Sequence, residues 1–344
     1  MKGAHRVGRP ELLLVVISLA VSLGLCELAA RRAFLLPFNP LADGWWEVSW
    51  LKRSSRGAEQ YAIDRYDPLL GWTLRENLRD APLAGATVNS NSRGVRGRRE
   101  YAIGKAGRFR AVVIGDSYTF GEGVNDDETF SAFLERQLPG SDIINLGVHG
   151  YGTDQQLLRL QRDGLPYRPD VIVFGYYEDD ISRNRMRFRD YLKPHFSIVN
   201  DRLELDNDPI PSPEDYKARL HVRSLGYLNI FMTRLRERRL EADNVERSKR
   251  LLAEIAAQAR RAAATLVTVY LPTPDQVRDN ETAHPGLFSY TCALPDVVCV
   301  DPTASLHRVT ASAPDWRSLF RYHYAPELHQ VIAQELAREI LPWR

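Results

Sequence analysis

From residue 110 onward, short apolar runs alternate with segments of helical period. The runs are Ala111–Ile114, Ile143–Leu146, Val171–Phe174, Leu266–Leu271 and Val297–Val300. Each has the length of one buried strand. Thr129–Leu138, Thr153–Asp163 and Val245–Ala264 read as helices between them, the last with apolar residues at 251, 252, 255, 259 and 262. A closing helix is expected over Pro326–Leu341, with Pro326 in its first turn. Strands alternating with helices predict an α/β fold whose mostly parallel sheet is covered on both faces.

Residues 181–244 interrupt the alternation. FSIVNDRLEL reads as a hairpin turning at Asn200-Asp201, and RLRERRLEAD reads as a charged, solvated helix. This stretch is expected to cap one end of the sheet. Residues 61–100 are punctuated by Gly, Asn and Ser and predict loops and short strands. Trp72, Asn89, Asn91 and Arg93 lie there, where packing and turn formation outweigh a place at the edge of a cleft. The expected organisation is a tip and anchor over 1–34, a connector and irregular lead-in over 35–109, and one domain over 110–344.

The amino terminus follows a different pattern. Lys2, His5, Arg6 and Arg9 precede the uncharged run Leu12–Cys26. Its 15 residues would make about 22 Å of helix, and extension through Glu27 to Ala30 would make about 28 Å, close to a bilayer core. LGLCELAARRA offers no convincing small-x-small cleavage site, and Leu25 before Cys26 does not suit a lipoprotein signal. An uncleaved transmembrane signal anchor is the favoured reading over a buried core helix. It predicts a single-pass inner-membrane protein whose domain is periplasmic or otherwise extracytoplasmic. Cys292 and Cys299 would then form a disulfide, or else remain two buried thiols in a core strand.

Composition narrows the function classes. The 344 residues carry 46 basic and 44 acidic side chains, a net charge of +2, which argues against a nucleic-acid partner. The three cysteines and eight histidines show no zinc spacing, so no metal site is expected. The mean hydropathy of −0.35 averages over the apolar amino-terminal run and conceals it.

The strongest chemical signal is AVVIGDSYTFGEG, residues 111–123. A buried strand ends in Gly115-Asp116-Ser117, where ligands bind in open parallel sheets. No Gly-Lys-Ser/Thr follows, so it is not a P-loop, and Thr119 excludes the GxSxG elbow. A lone serine there also suits a helix cap. Three more blocks follow in order: NLGVHGYGTDQ, PDVIVFGYYEDDISRN and RYHYAPELHQVIAQEL.

In these four blocks the chain resembles the SGNH hydrolases, or GDSL esterases, and most closely their branch with one amino-terminal membrane anchor. The resemblance covers about residues 61–344. It implies a three-layer, flavodoxin-like α/β/α fold and a serine nucleophile at Ser117 with His323 as base. It also implies an oxyanion hole from the Ser117 and Gly147 N–H groups, with a third donor at the family's Asn position. Serine needs such a base, and the tetrahedral oxyanion needs converging donors. Asp116 is read as structural, capping the following helix, and His329 as a packing histidine.

Two positions depart from the pattern. Asp179 stands where the family has Asn, and a carboxylate repels an oxyanion. A protonated Asp179, Asn184, or a two-donor hole would each answer this. The acid expected two or three residues before His323 is replaced by Arg321 and Phe320; Asp315, Asp301 or a backbone carbonyl would have to orient the ring instead.

The resemblance implies a cofactor-free esterase or O-acyltransferase acting on ester groups, often O-acetyl, of an envelope or exported glycan. The rival reading is a catalytically degenerate domain that binds glycan or a protein partner and scaffolds an envelope assembly.

Overall fold

A computed structural model of the chain describes residues 9–34, 46, 49–50 and 63–343, apart from 105–106, 207–208, 221–225, 282, 285 and 322. The basic tip before residue 9 and most of the connector over 35–60 lie outside the described residues.

Two short hairpins come first: β1 (Asp64–Asp67) with β2 (Gly71–Leu74), and β3 (Ala81–Leu83) with β4 (Ala86–Val88). The five apolar runs then become β5 (Arg110–Ile114), β6 (Asp142–Asn145), β7 (Val171–Tyr176), β10 (Thr265–Tyr270) and β11 (Val297–Val300). They pair in parallel in the order β11-β10-β7-β5-β6. Every residue of β5, β6 and β7 is buried. Burial on both faces is why these strands read as unbroken apolar runs.

One face packs against the helices Phe130–Gln137, Thr303–Ser312 and Pro326–Ile340 through Leu134, Leu306, Ile332 and Leu336. The other packs against Thr153–Arg159 and the carboxyl half of the helix Gly226–Arg261, with Leu251, Leu252, Ile255 and Ala259 buried. The result is a three-layer α/β/α architecture. The helix Gly226–Arg261 begins well before the expected Val245 and takes in the backbone of RLRERRLEAD. Most side chains of that charged segment lie outside the described residues.

The chain leaves β5 for β6 on one side and returns to β7 on the other. That reversal opens a crevice at the carboxyl ends of β5 and β7.

The lead-in belongs to the same core. Trp72 is buried, packs on Tyr151 at 5.6 Å and donates from Nε1 to the His149 carbonyl at 3.1 Å. Asn89 Nδ2 donates to Asp126 at 2.7 Å, and Asn91 Oδ1 accepts from the Arg93 and Val95 N–H groups. These residues make packing and turn contacts, while Arg93 is exposed. Arg96 is buried and holds Asp126 at 2.6 Å and the Val124 carbonyl at 2.7 Å, tying the lead-in to the loop after Ser117.

The insertion forms the hairpin of β8 (His195–Val199) and β9 (Arg202–Asp206). Asn200 and Asp201 both have positive φ, 48° and 65°, as a two-residue turn of this hand requires. Lys193 Nζ pairs with Asp154 Oδ2, both side chains fully buried, and fastens the insertion to the helix Thr153–Arg159.

Cys292 and Cys299 form a disulfide with Cα atoms 5.7 Å apart, and Cys26 is free. The amino-terminal helix runs Arg9–Phe34, and its large apolar side chains from Leu12 to Leu28 are exposed. Among the described residues, no helix is long and apolar enough to cross a membrane.

Candidate active site

Ser117 opens the short helix Ser117–Phe120 directly beyond β5. Asp116 caps that helix, its Oδ1 accepting the Tyr118 N–H at 3.0 Å. Gly121 closes it at φ 82°, returning its N–H to the Ser117 carbonyl at 3.0 Å. The helix sits on the sheet because two glycines leave room for Thr119. A Cβ on Gly115, after β5, or on Gly175, in β7, would overlap the Thr119 side chain.

His323 lies between the short 3₁₀ turn Trp316–Phe320 and the helix Pro326–Ile340. Its Nε2 stands 2.8 Å from Ser117 Oγ, across 206 residues of sequence. Burial lowers the pKa of His323, with the Glu122 and Asp116 charges only partly opposing it. The ring is therefore neutral at neutral pH, as a base must be. His329 instead packs in the core, its Nδ1 accepting the Phe130 N–H at 3.2 Å.

Among the described residues, no carboxylate completes the pair. His323 Nδ1 is buried and has no hydrogen-bond partner among the described residues. Asp315 caps the turn Trp316–Phe320, accepting the Arg317 N–H at 3.1 Å. Asp301 holds the Thr303 N–H at 2.9 Å and His284 Nε2 at 3.1 Å. Both candidate acids are spent on local structure. Arg321 is exposed.

Ser117 and His323 line a cavity of about 180 Å³ together with His149, Gly150, Asp179 and Arg183. Gly147 is not among its lining residues, and its N–H is committed to Asn145 Oδ1 at 2.9 Å. Gly150 takes the place at the cavity, with φ 73° and no room for a Cβ against Asp190. Asp179 does line the cavity. Asn184 does not reach it: its Nδ2 donates to Ser248 Oγ at 2.9 Å and its Oδ1 accepts the Asp154 N–H at 3.3 Å.

Residues missed in the sequence also line the site. Arg183 follows Asp179 by one helical turn in Glu178–Arg183, a spacing that puts both on one face. His149 adjoins Gly150, and its Nε2 is 2.8 Å from Asp64. Burial pulls the His149 pKa down, but the Asp64 charge and hydrogen bond, with the Asp190 and Glu122 charges, together outweigh it and raise the value. A larger cavity of about 540 Å³, lined by Arg168, Gln258 and Arg261, lies near the amino ends of β7 and β10, away from this chemistry. Among the described residues, no cluster of three or more His, Cys, Asp or Glu side chains could hold a metal ion.

A family model described as GDSL-like Lipase/Acylhydrolase matches residues 112–336. Solved structures with a similar fold include TesA, at 13% identity and TM-score 0.42, covering 68% of this chain and 99% of that one. They also include Axe2, an acetylxylan esterase from Geobacillus stearothermophilus, at 13% identity and TM-score 0.41, covering 69% and 95%. No curated protein sequence matches the chain.

Proposed function

The chain belongs to the GDSL-like lipase/acylhydrolase family, and from that premise we propose that it is a serine esterase or O-acyltransferase with Ser117 as nucleophile and His323 as base. The observation that carries this is the 2.8 Å approach of His323 Nε2 to Ser117 Oγ in a cavity at the crevice of the sheet. Ser117 Oγ attacks the acyl carbonyl while its proton passes to His323 Nε2. The leaving alcohol takes that proton, and water or an acceptor hydroxyl then releases the acyl group by the same route reversed. The Ser117 and Gly150 N–H groups are the backbone donors proposed for the oxyanion.

A cavity of about 180 Å³, ringed by charged and hydroxyl-bearing side chains, suits a short acyl group such as acetyl on a polar carrier better than a long lipid chain. An O-acylated glycan of the envelope or an exported polymer is the proposed substrate. The exposed apolar side chains of the helix Arg9–Phe34 support attachment to the inner membrane in the manner of the anchored branch. The disulfide supports an extracytoplasmic, oxidising location for the domain.

A second reading, a degenerate domain that binds glycan or a partner as a scaffold, is favoured by one observation. If Nε2 accepts the serine proton, the N–H must sit on Nδ1, buried with no acceptor among the described residues. Such a group costs about 1–3 kcal/mol.

Fluorophosphonate labelling of the full chain separates the two readings. Wild type is expected to label and Ser117→Ala to remain blank; an unlabelled wild type leaves the scaffold. An alkaline phosphatase reporter joined after residue 60 tests the location, and an inactive fusion defeats the extracytoplasmic placement.

A further inference from the structure

The family's third oxyanion donor is missing at Asp179, yet a cation stands one turn further along the same helix. Arg183 lines the cavity with Ser117 and His323. Its Nη1 holds Asp180 Oδ1 at 2.6 Å, the Tyr151 carbonyl at 2.9 Å and Asp116 Oδ2 at 3.2 Å. The same Asp116 Oδ2 is 3.4 Å from Ser117 Oγ. One carboxylate oxygen therefore links the guanidinium to the nucleophile. No described residue accepts from Arg183 Nε or Nη2, so two edges of the fork remain for a ligand while the third nitrogen is locked.

We propose that Arg183 supplies the oxyanion donor that Asp179 cannot, presenting Nε–H or Nη2–H to the carbonyl oxygen of an ester bound at Ser117. This rests on Ser117 being the nucleophile. As the Oγ–C bond forms and the serine proton moves to His323, the carbonyl π pair moves to oxygen, and Arg183 meets that charge without giving up a proton. When the C=O bond re-forms, the alcohol leaves with the proton from His323. A guanidinium is permanently charged and planar, so its fork is already set before charge develops. It also offsets the exposed Asp179 carboxylate on the same helix face, explaining how the site tolerates an acid where the family has an amide. Burial opposes the charge of Arg183, but Asp180 and Asp116 outweigh it and hold the group protonated.

The test uses the full chain. Arg183→Lys keeps a cation between Asp116 and Asp180 but loses the fork. It is expected to lower kcat on a short-chain aryl ester by about 10²–10³-fold, with KM changed less than about threefold and the melting temperature nearly kept. A folded Arg183→Lys protein with kcat within about threefold of wild type overturns the proposal. The second measurement needs no substitution: in the structure of wild type phosphonylated at Ser117, the phosphoryl oxygen is expected within about 3.2 Å of Arg183 Nε or Nη2. An oxygen turned away from Arg183 overturns the proposal even though Ser117 has reacted. Absence of any Ser117-dependent label overturns the nucleophile assignment and this inference together.

Discussion

The Tyr118 ring meets the His323 imidazole edge to face, with centroids 4.5 Å apart and planes at 69°. Tyr118 is itself held by Tyr177 at 4.5 Å and Tyr324 at 4.8 Å. With no carboxylate on Nδ1 among the described residues, aromatic packing fixes the direction in which Nε2 points. Tyr118→Leu is expected to lower kcat about 10- to 100-fold by letting the ring turn, because small misplacements of a base are costly. Tyr118→Phe keeps the ring and is expected to stay within about threefold. Steady-state hydrolysis of an aryl acetate checks both, and equal losses would exclude a positioning role for the ring.

The pH profile follows from the charges around His323. Burial lowers its pKa, and Glu122 is the largest opposing charge. The acidic limb of kcat/KM is therefore expected below the ordinary histidine value, since the base stays neutral as pH falls. Glu122→Gln removes an anion that favours the imidazolium, so the limb should move to still lower pH. A shift to higher pH would show that another group controls it.

Two other histidines govern acid stability. Burial pushes His329 down to about 3, and burial together with the Arg187 charge pushes His195 to about 3. The unfolded chain takes up these protons once pH drops below about 6.5, whereas the folded chain resists until about 3. Stability conferred by the neutral rings is thus complete above about 6.5 and lost as pH falls through that window, by at most about 1.4 kcal/mol per pH unit for each ring. His329→Gln can still accept from the Phe130 N–H and is expected to flatten the slope. Urea midpoints between pH 7 and 4 measure it, and a slope unchanged by the substitution rules His329 out as a contributor.

The buried Lys193–Asp154 pair ties the insertion to the helix Thr153–Arg159. Lys193→Met would leave the Asp154 carboxylate fully buried without its cation, at a cost of about 3–5 kcal/mol. Replacing both partners with apolar residues should recover much of that loss, because no charge is then stranded. Denaturant unfolding of the three proteins decides this; a single variant as stable as wild type would mean that the pair contributes little.

Much of the architecture was legible because burial on both faces leaves a strong mark. All five apolar runs became strands of one sheet, and Asn200-Asp201 became the hairpin turn. The pairing of Ser117 with His323, the proposed nucleophile and base, was legible as motifs flanking predictable elements. The oxyanion loop was less so. Gly147 and Gly150 share one glycine-rich stretch, and only the Asn145 hydrogen bond and the positive φ separate their roles. Asp315 misled because a carboxylate near a histidine in sequence can be spent on a cap. The lead-in misled in the other direction. Its turn residues suggested an irregular connector, whereas Trp72 and Arg96 make it part of the core through contacts that no local pattern encodes. Arg183 carried one faint signal, its four-residue spacing from Asp179, which gains meaning only beside Ser117.

Gly115, Gly175 and Thr119 form a single steric unit. The two missing methyl groups, one just beyond β5 and one in the neighbouring β7, set the height at which the serine rides above the sheet. An alanine at either strand position must lift or tilt that short helix, and a shift of about 1 Å is enough to spoil in-line attack. Substitutions here would therefore be accepted only in concert, with a smaller side chain at 119 arriving before any methyl beneath it.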